Sequence, residues 1–294
     1  MELFLFLAEN FVHQAIVNIE TKGEFTVALS GGNTPKLLFD YLTKKELNQK
    51  KIPWEQIKFF FGDERYLAPD NPENNYHMAY EHLFSKVPVL KEHIYPIPTH
   101  LSDPKEAARD YETTLRKVFH LKENELPKFD LVYLGLGLDA HTASLLPSSE
   151  LVIRYVRSHL EREDLINPPG LDEGKLTASE MKNFTTKKNP DANSDANTNA
   201  STSETQNFPM VAALFAPLQG IYRITLTPPI INNAKMILFI VTGANKASAV
   251  SAVLEGPRKP ELYPAQLIHC LHDKTMWFLD QAAASQLRFV NEKK

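Results

Sequence analysis

The stretch FDLVYLGLGLDAHTASLLP, from Phe129 to Pro147, constrains this chain more than any other. Phe129 to Leu134 is a short apolar run of the kind buried on both faces of a parallel sheet. Gly135 and Gly137 permit a tight turn, and Asp139, His141 and Thr142 are expected where that turn feeds a new helix. Polar groups so placed stand at the carboxyl end of a strand, the edge where ligands bind in open α/β sheets. Taken alone, the same residues also read as a helix cap, from Asp139 or Thr142, beside a surface histidine.

The strand, turn and helix pattern recurs. Phe25 to Leu29 reads as a strand, and SGGNTPKLLFDYL follows as a glycine turn into a helix, with Thr34 at the cap and Pro35 at its first position. The free N–H groups of such a helix start, with the hydroxyls of Ser30 and Thr34, make a phosphate cradle. It is not a Walker loop, because the G-x-x-x-x-G-K-[ST] spacing is absent. Ile57 to Phe61 is a second buried strand ending in Gly62-Asp63-Glu64-Arg65, which is either a solvated loop or, if the strands are parallel, part of the same edge. Met236 to Val241 is a third, followed by Thr242-Gly243-Ala244-Asn245-Lys246 and a helix. A lysine at a helix start opposes the helix dipole, so Lys246 points to an anionic ligand, or is simply exposed.

Between these units, residues about 7 to 22 and 103 to 119 have helical spacing, the second with Ser102 or Asp103 as cap and Pro104 first. A further helix begins near Asn74 or Asn75, and another covers Leu151 to Leu160. Tyr222 to Thr227 alternates like a strand, Pro264 to Leu271 reads as a short helix and Thr275 to Leu279 as a last strand. Thr185 to Asn207 is almost wholly polar, too poor in apolar surface to offset the entropy of ordering, and is expected to be a flexible surface insertion. The organisation expected is a single catalytic domain over 1–294, with that insertion lying around 150–207.

Composition excludes several classes. A formal charge of −4 argues against a general nucleic-acid surface, so an anionic ligand must be met by a local cluster of Arg and Lys. Cys270 is the single cysteine, which rules out an intrachain disulfide and suits a reducing compartment. MELFLFLAEN carries an acid where a signal peptide carries bases, and no run approaches membrane-spanning length. The expectation is a cytoplasmic protein with no membrane association. His269, Cys270 and His272 look like metal ligands, but one helical turn cannot aim all three at one point, so no metal is expected.

As a set, ALSGGNTP (28–35), FGDER (61–65), DLVYLGLGLDAHTASLLP (130–147), RITLTPPIINNAK (223–235) and TGANKA (242–247) resemble the 6-phosphogluconolactonase family in order and spacing, over about 1–150 and 208–290. The resemblance implies a NagB/RpiA-like α/β fold, a mostly parallel Rossmann-like sheet with helices on both faces. It implies hydrolysis of 6-phosphoglucono-δ-lactone, a small sugar phosphate, to 6-phosphogluconate in the oxidative pentose phosphate pathway. By position it casts His141 as the base activating water, with Asp139 beside it in the active site, and Arg65, a further catalytic residue, takes up substrate contacts with Lys246, including the phosphate. Ser30, Gly31, Gly32, Thr34, Asp63, Asn75, Arg223 and Lys246 become substrate contacts. Lactone hydrolysis needs a base, a site for the oxyanion and a clamp on the distal phosphate, and it needs no redox or metal cofactor.

Two features depart from the family pattern. Ala140 stands where the family has glycine, so either that position does not need positive φ or the turn carries strain of roughly 1 kcal/mol. The segment from about 150 to 207 is longer than the usual connection. Glucosamine-6-phosphate deaminase shares the SGG-x-TP turn but resembles G-x-x-x-x-G-H-I after the central strand. Gly135-x-Gly137-x-x-Ala140 also satisfies a dinucleotide fingerprint, although the acid it requires about 20 residues on would fall in the irregular segment. A non-catalytic sugar-phosphate sensor is the third alternative, disfavoured by Asp139 and His141.

Overall fold

The computed structural model describes residues 2–44, 52–160, 208–271 and 274–288, so the segment Thr185 to Asn207 and His272 lie outside the described residues. The chain divides into two compact units, Met1–Ile153 with Pro209–Lys294, and Arg154–Phe208.

Five strands build the central sheet: β1 (Phe25–Leu29), β2 (Ile57–Phe61), β4 (Leu131–Leu134), β7 (Ile237–Val241) and β8 (Thr275–Leu279). They pair in the order β2-β1-β4-β7-β8, every pair parallel. Every residue of β1, β4 and β7 is buried, which is why these segments read as unbroken apolar runs rather than alternating ones. Tilted and edge-on rings of Phe60, Phe119 and Phe129 fill part of the core beside β2 and β4.

The sheet is flanked by helices α1 (Glu2–Lys22), α2 (Asn33–Leu42), α3 (Asn75–His82) and α4 (Pro104–Val118), and after α5 (Glu150–Leu160), which crosses the boundary between the two units, by α6 (Pro228–Asn232) and α7 (Ala247–Leu254). Asp103, one of the two caps the sequence offers, caps α4 through Lys105 N–H, and Asn74 caps α3 through His77 N–H. Chain order reverses between β1 and β4, whose neighbours lead outward in opposite directions, and a crevice at their carboxyl ends follows from that topology.

Several expectations are corrected. Helix α1 begins at Glu2 rather than near residue 7. Helix α2 begins at Asn33 with Gly32 at the cap, φ 104°, because the Thr34 hydroxyl is engaged with Thr242 Oγ1 at 2.9 Å instead of capping. No helix follows Gly137: Ala140, Ala143 and Ser148 take φ of 63°, 47° and 55°, which breaks any helical run until Glu150. Pro264–Leu267 forms only a single 3-10 turn. Asp63–Arg65 is neither loop nor tail but a strand, β3, belonging to a second sheet with β5 (Val211–Ala216) and β6 (Ile221–Leu226). That sheet is antiparallel in the order β3-β6-β5, and sequence reading did not identify β5. Gly62 is the corner between the sheets: its N–H donates to Leu29 O and its carbonyl accepts from Leu226 N–H, each at 2.8 Å.

Candidate active site

A cleft of about 470 Å³ opens at the carboxyl ends of β1 and β4, where the chain order reverses. Its floor is the turn after β4. Asp139 Oδ1 lies 2.5 Å from His141 Nδ1 and accepts the His141 backbone N–H at 3.2 Å, so carboxylate and imidazole are locked within one turn. Burial pushes the Asp139 acid up, but the hydrogen bonds and charge of His141 outweigh it and hold it at about 2. An ionised Asp139 keeps the proton on Nδ1, and His141 Nε2 has no protein partner among the described residues. A Cβ at Gly137 would come within 2.1 Å of His141 Nδ1 and 2.5 Å of Asp139 Oδ1. Gly137 is therefore needed because the pair packs onto its bare Cα, in addition to any turn it permits.

The geometry of Ala140 decides the question its identity raised. Its φ of 63° lies in the left-handed region, so the turn is strained by roughly 1 kcal/mol relative to glycine. Two hydrogen bonds hold it there, Ala140 N–H to Gly137 O at 3.2 Å and Ala265 N–H to Ala140 O at 3.1 Å.

Three cations also line the cleft. Arg65 and Arg223 are cross-strand partners on β3 and β6 and so leave the same face of the small sheet. Arg65 donates to the Glu73 carbonyl at 2.8 Å. Arg223 is nearly buried, donating through Nε to Gln219 Oε1 at 2.9 Å and through Nη1 to Ser144 Oγ at 3.2 Å, with Asp63 at 3.7 Å. Burial pushes the Arg223 guanidinium down, opposed by the charge of Asp63. Lys246, at the start of α7, donates to the Leu136 carbonyl at 2.7 Å, and burial lowers its ammonium while Asp139 raises it.

The turn after β1 contributes Ser30 and Gly31. Asn75, the first residue of α3, donates to Asp63 O at 2.9 Å and occupies the space a side chain at Gly31 would need: a Cβ there would sit 1.8 Å from Asn75 Oδ1. Of the residues singled out from sequence, Gly32 and Thr34 do not line the cleft, and Asp63 faces it while its Oδ2 accepts from Ser144 Oγ at 2.6 Å. Sequence reading missed Ser144, which lies inside the central motif, and Gln219, in the β5–β6 hairpin, where nothing local marks it. Among the described residues no group of three His, Cys, Asp or Glu side chains converges on a metal position. Cys270 is buried with Sγ 3.0 Å from the Ala234 carbonyl.

This arrangement suits a small, polar, anionic ligand with an electrophilic carbon near Nε2. Known proteins resemble the chain over most of its length. The family model described as glucosamine-6-phosphate isomerases/6-phosphogluconolactonase matches residues 1–165 and 196–277. A 6-phosphogluconolactonase of Synechocystis sp. is 33% identical over 270 residues, 92% of this chain and 88% of the relative. The solved structure of a devB protein superposes with TM-score 0.71 at 26% identity, covering 97% of this chain and 95% of the other. The 6-phosphogluconolactonase of Trypanosoma brucei shares the fold, TM-score 0.70 at 24% identity, covering 97% and 95%.

Proposed function

Because the chain belongs to the family of glucosamine-6-phosphate isomerases and 6-phosphogluconolactonases, we propose that it hydrolyses 6-phosphoglucono-δ-lactone with His141 as general base. The observation that carries this reading is the His141–Asp139 pair at 2.5 Å, in a cleft also lined by Arg65, Arg223 and Lys246.

Water attacks the lactone carbonyl carbon as His141 Nε2 takes its proton, forming the new C–O bond and an oxyanion. Asp139 steadies the imidazolium through Nδ1–H. The oxyanion collapses, the bond from the carbonyl carbon to the ring oxygen breaks, and that oxygen takes the proton back from Nε2 to become a hydroxyl. The product acid ionises. The cations hold the phosphate and orient the ring, which converts binding energy into a fixed angle of attack. Ser30, Gly31 and Asn75 contact the substrate as well, while Asp63 acts by holding Ser144 and Arg223. In this reading the catalytic body is formed by Met1–Ile153 and Pro209–Lys294, and the protein works in the cytoplasm on a small molecule. No helix among the described residues is long and apolar enough to cross a membrane.

The test is proton release from 6-phosphoglucono-δ-lactone with excess chelator and without nicotinamide, against the spontaneous rate. The wild type should accelerate it, and His141→Asn should lose roughly 10³-fold in rate with an unchanged melting temperature, since only a proton acceptor is removed. Turnover confined to ammonia release from glucosamine 6-phosphate, or to NADP reduction, would overturn the reading, as would near-normal hydrolysis by the variant.

A further inference from the structure

Glu64 lies on β3 between Asp63 and Arg65, yet it is fully buried while its neighbours reach the cleft. Its Oε1 accepts the backbone N–H of Asn75 at 2.6 Å and of Arg65 at 2.8 Å, and its Oε2 accepts that of Tyr76 at 2.9 Å. Asn75 and Tyr76 open α3, so the carboxylate satisfies two of the N–H groups that a helix start leaves without intrahelical partners. One side chain thus joins β3 to a helix whose first residue follows it by eleven positions.

What hangs on that joint is part of the site. Asn75, held by its N–H to Glu64, fills the space above Gly31 and donates to the Asp63 carbonyl. Arg65 is held by its N–H to the same oxygen and by its Nη1 to the Glu73 carbonyl in the loop before α3. The spacing between the Ser30–Gly31 turn, the Asn75 carboxamide and the Arg65 guanidinium is therefore set through one buried carboxyl. No ion pair with Glu64 is present among the described residues, and three donors around one anchor restrict direction more closely than a single cation would.

We infer that Glu64 is a positioning residue for the substrate site: it never touches the ligand, but it fixes Asn75 and Arg65 at the separation that the sugar phosphate requires. Burial pushes its acid up to about 8 against the pull of the three N–H donors, a cost that a merely peripheral side chain would not carry. The inference rests on the proposed function for its substrate, but its test does not need turnover.

The experiment measures 6-phosphogluconate binding by calorimetry and backbone amide exchange for wild type and Glu64→Gln, which keeps shape and one acceptor oxygen. The expected result is roughly tenfold weaker binding with faster exchange at Asn75, Tyr76 and Arg65, while the melting temperature stays within a few degrees. In the lactone assay KM should rise by a similar factor and kcat change by less than about threefold, because His141 and Asp139 are untouched. Glu64→Leu, with no acceptor, should bind still more weakly; should it fail to fold, the Gln variant decides alone. Unchanged affinity in Glu64→Gln despite faster amide exchange would overturn the inference, as would a loss confined to kcat. If the wild type binds 6-phosphogluconate but shows no lactone hydrolysis, the proposed function fails while the comparison of affinities still judges Glu64.

Discussion

A buried carboxylate lies near the amino end of the parallel sheet and another just beyond its carboxyl end, on β3 of the small sheet, and the two are satisfied in opposite ways. At the amino end, Asp130 has a wholly buried side chain that meets two ammoniums, Lys22 Nζ at 2.7 Å and Lys235 Nζ at 2.9 Å, besides the N–H and hydroxyl of Thr26. At the carboxyl end, Glu64 receives only backbone N–H groups. Among the described residues Arg65, the next residue along β3, and Lys246, at the start of α7, form no ion pair, and both line the cleft. The difference teaches where the fold uses its cations. At Asp130 opposite charges neutralise each other, whereas at Glu64 the acid is satisfied by backbone dipoles, so that Arg65 stays available to the cleft while, among the described residues, Arg223 alone of its cations is paired, with Asp63.

Breaking the amino-end pair gives the largest expected effect on stability among these tests. Asp130→Asn should destabilise by roughly 2 kcal/mol, since two part-exposed ammoniums and the Thr26 donors lose a charged acceptor, and should leave KM and kcat unaltered at the far end of the sheet. Chemical denaturation and the lactone assay check both halves, and a loss of activity in the folded variant would refute the separation of roles. The pH dependence sharpens the same contrast. Burial raises the Asp130 acid, but Lys22 and Lys235 hold it below the usual carboxylate range, so its contribution is present above the unfolded value and fades as pH falls through the lowered one. Glu64 is raised from 4.5 to about 8, so its contribution is present below the unfolded value and fades as pH rises through about 8. Denaturation midpoints over that range should lose their acid-side fall in Asp130→Asn and their alkaline-side fall in Glu64→Gln.

A comparable effect, on binding rather than stability, is expected at the cleft itself. Lys246→Ala should weaken 6-phosphogluconate by roughly 30-fold, about 2 kcal/mol, and unphosphorylated gluconate by much less, because the lost partner is a charge-assisted donor to phosphate. Equal losses for the two ligands, read by calorimetry, would show that the cation does not face the phosphate. The smallest belongs to the strained turn. Ala140→Gly should relieve roughly 1 kcal/mol of left-handed strain while losing a buried methyl and gaining unfolded-state entropy, so the melting temperature should move by only a few degrees and His141 activity should persist. A large fall in kcat would mean that the rigidity of this turn, rather than its shape, serves the His141–Asp139 pair.

The parallel sheet and much of the site were legible because both are written locally. Apolar runs ending in glycine turns mark buried strands, and the residues just after them, Ser30, His141 and Lys246, fall at one edge by topology alone. The charges of Asp63, Glu64 and Arg65 were equally visible, but their division was not. In a strand successive side chains take opposite faces, so recognising Asp63–Arg65 as β3 would have separated Glu64 from its neighbours, yet three residues are too few to show a period. The turn after Gly137 misled for a related reason, since a polar cluster following glycine reads as a helix cap and only the positive φ values forbid the helix.

By itself the sequence determined the α/β class, the strand ends that meet at the cleft and the chemical types gathered there, because burial pattern and turn chemistry act over a few residues. Only the tertiary structure decided which of those groups face a ligand and which face each other. Asp139 meets His141, Asp63 holds Ser144 and Arg223, Thr34 turns away to Thr242, and Glu64 anchors the helix that begins at Asn75. Most of these partnerships join residues far apart in the chain, and a hydrogen bond depends on distance and direction in space that no local pattern encodes.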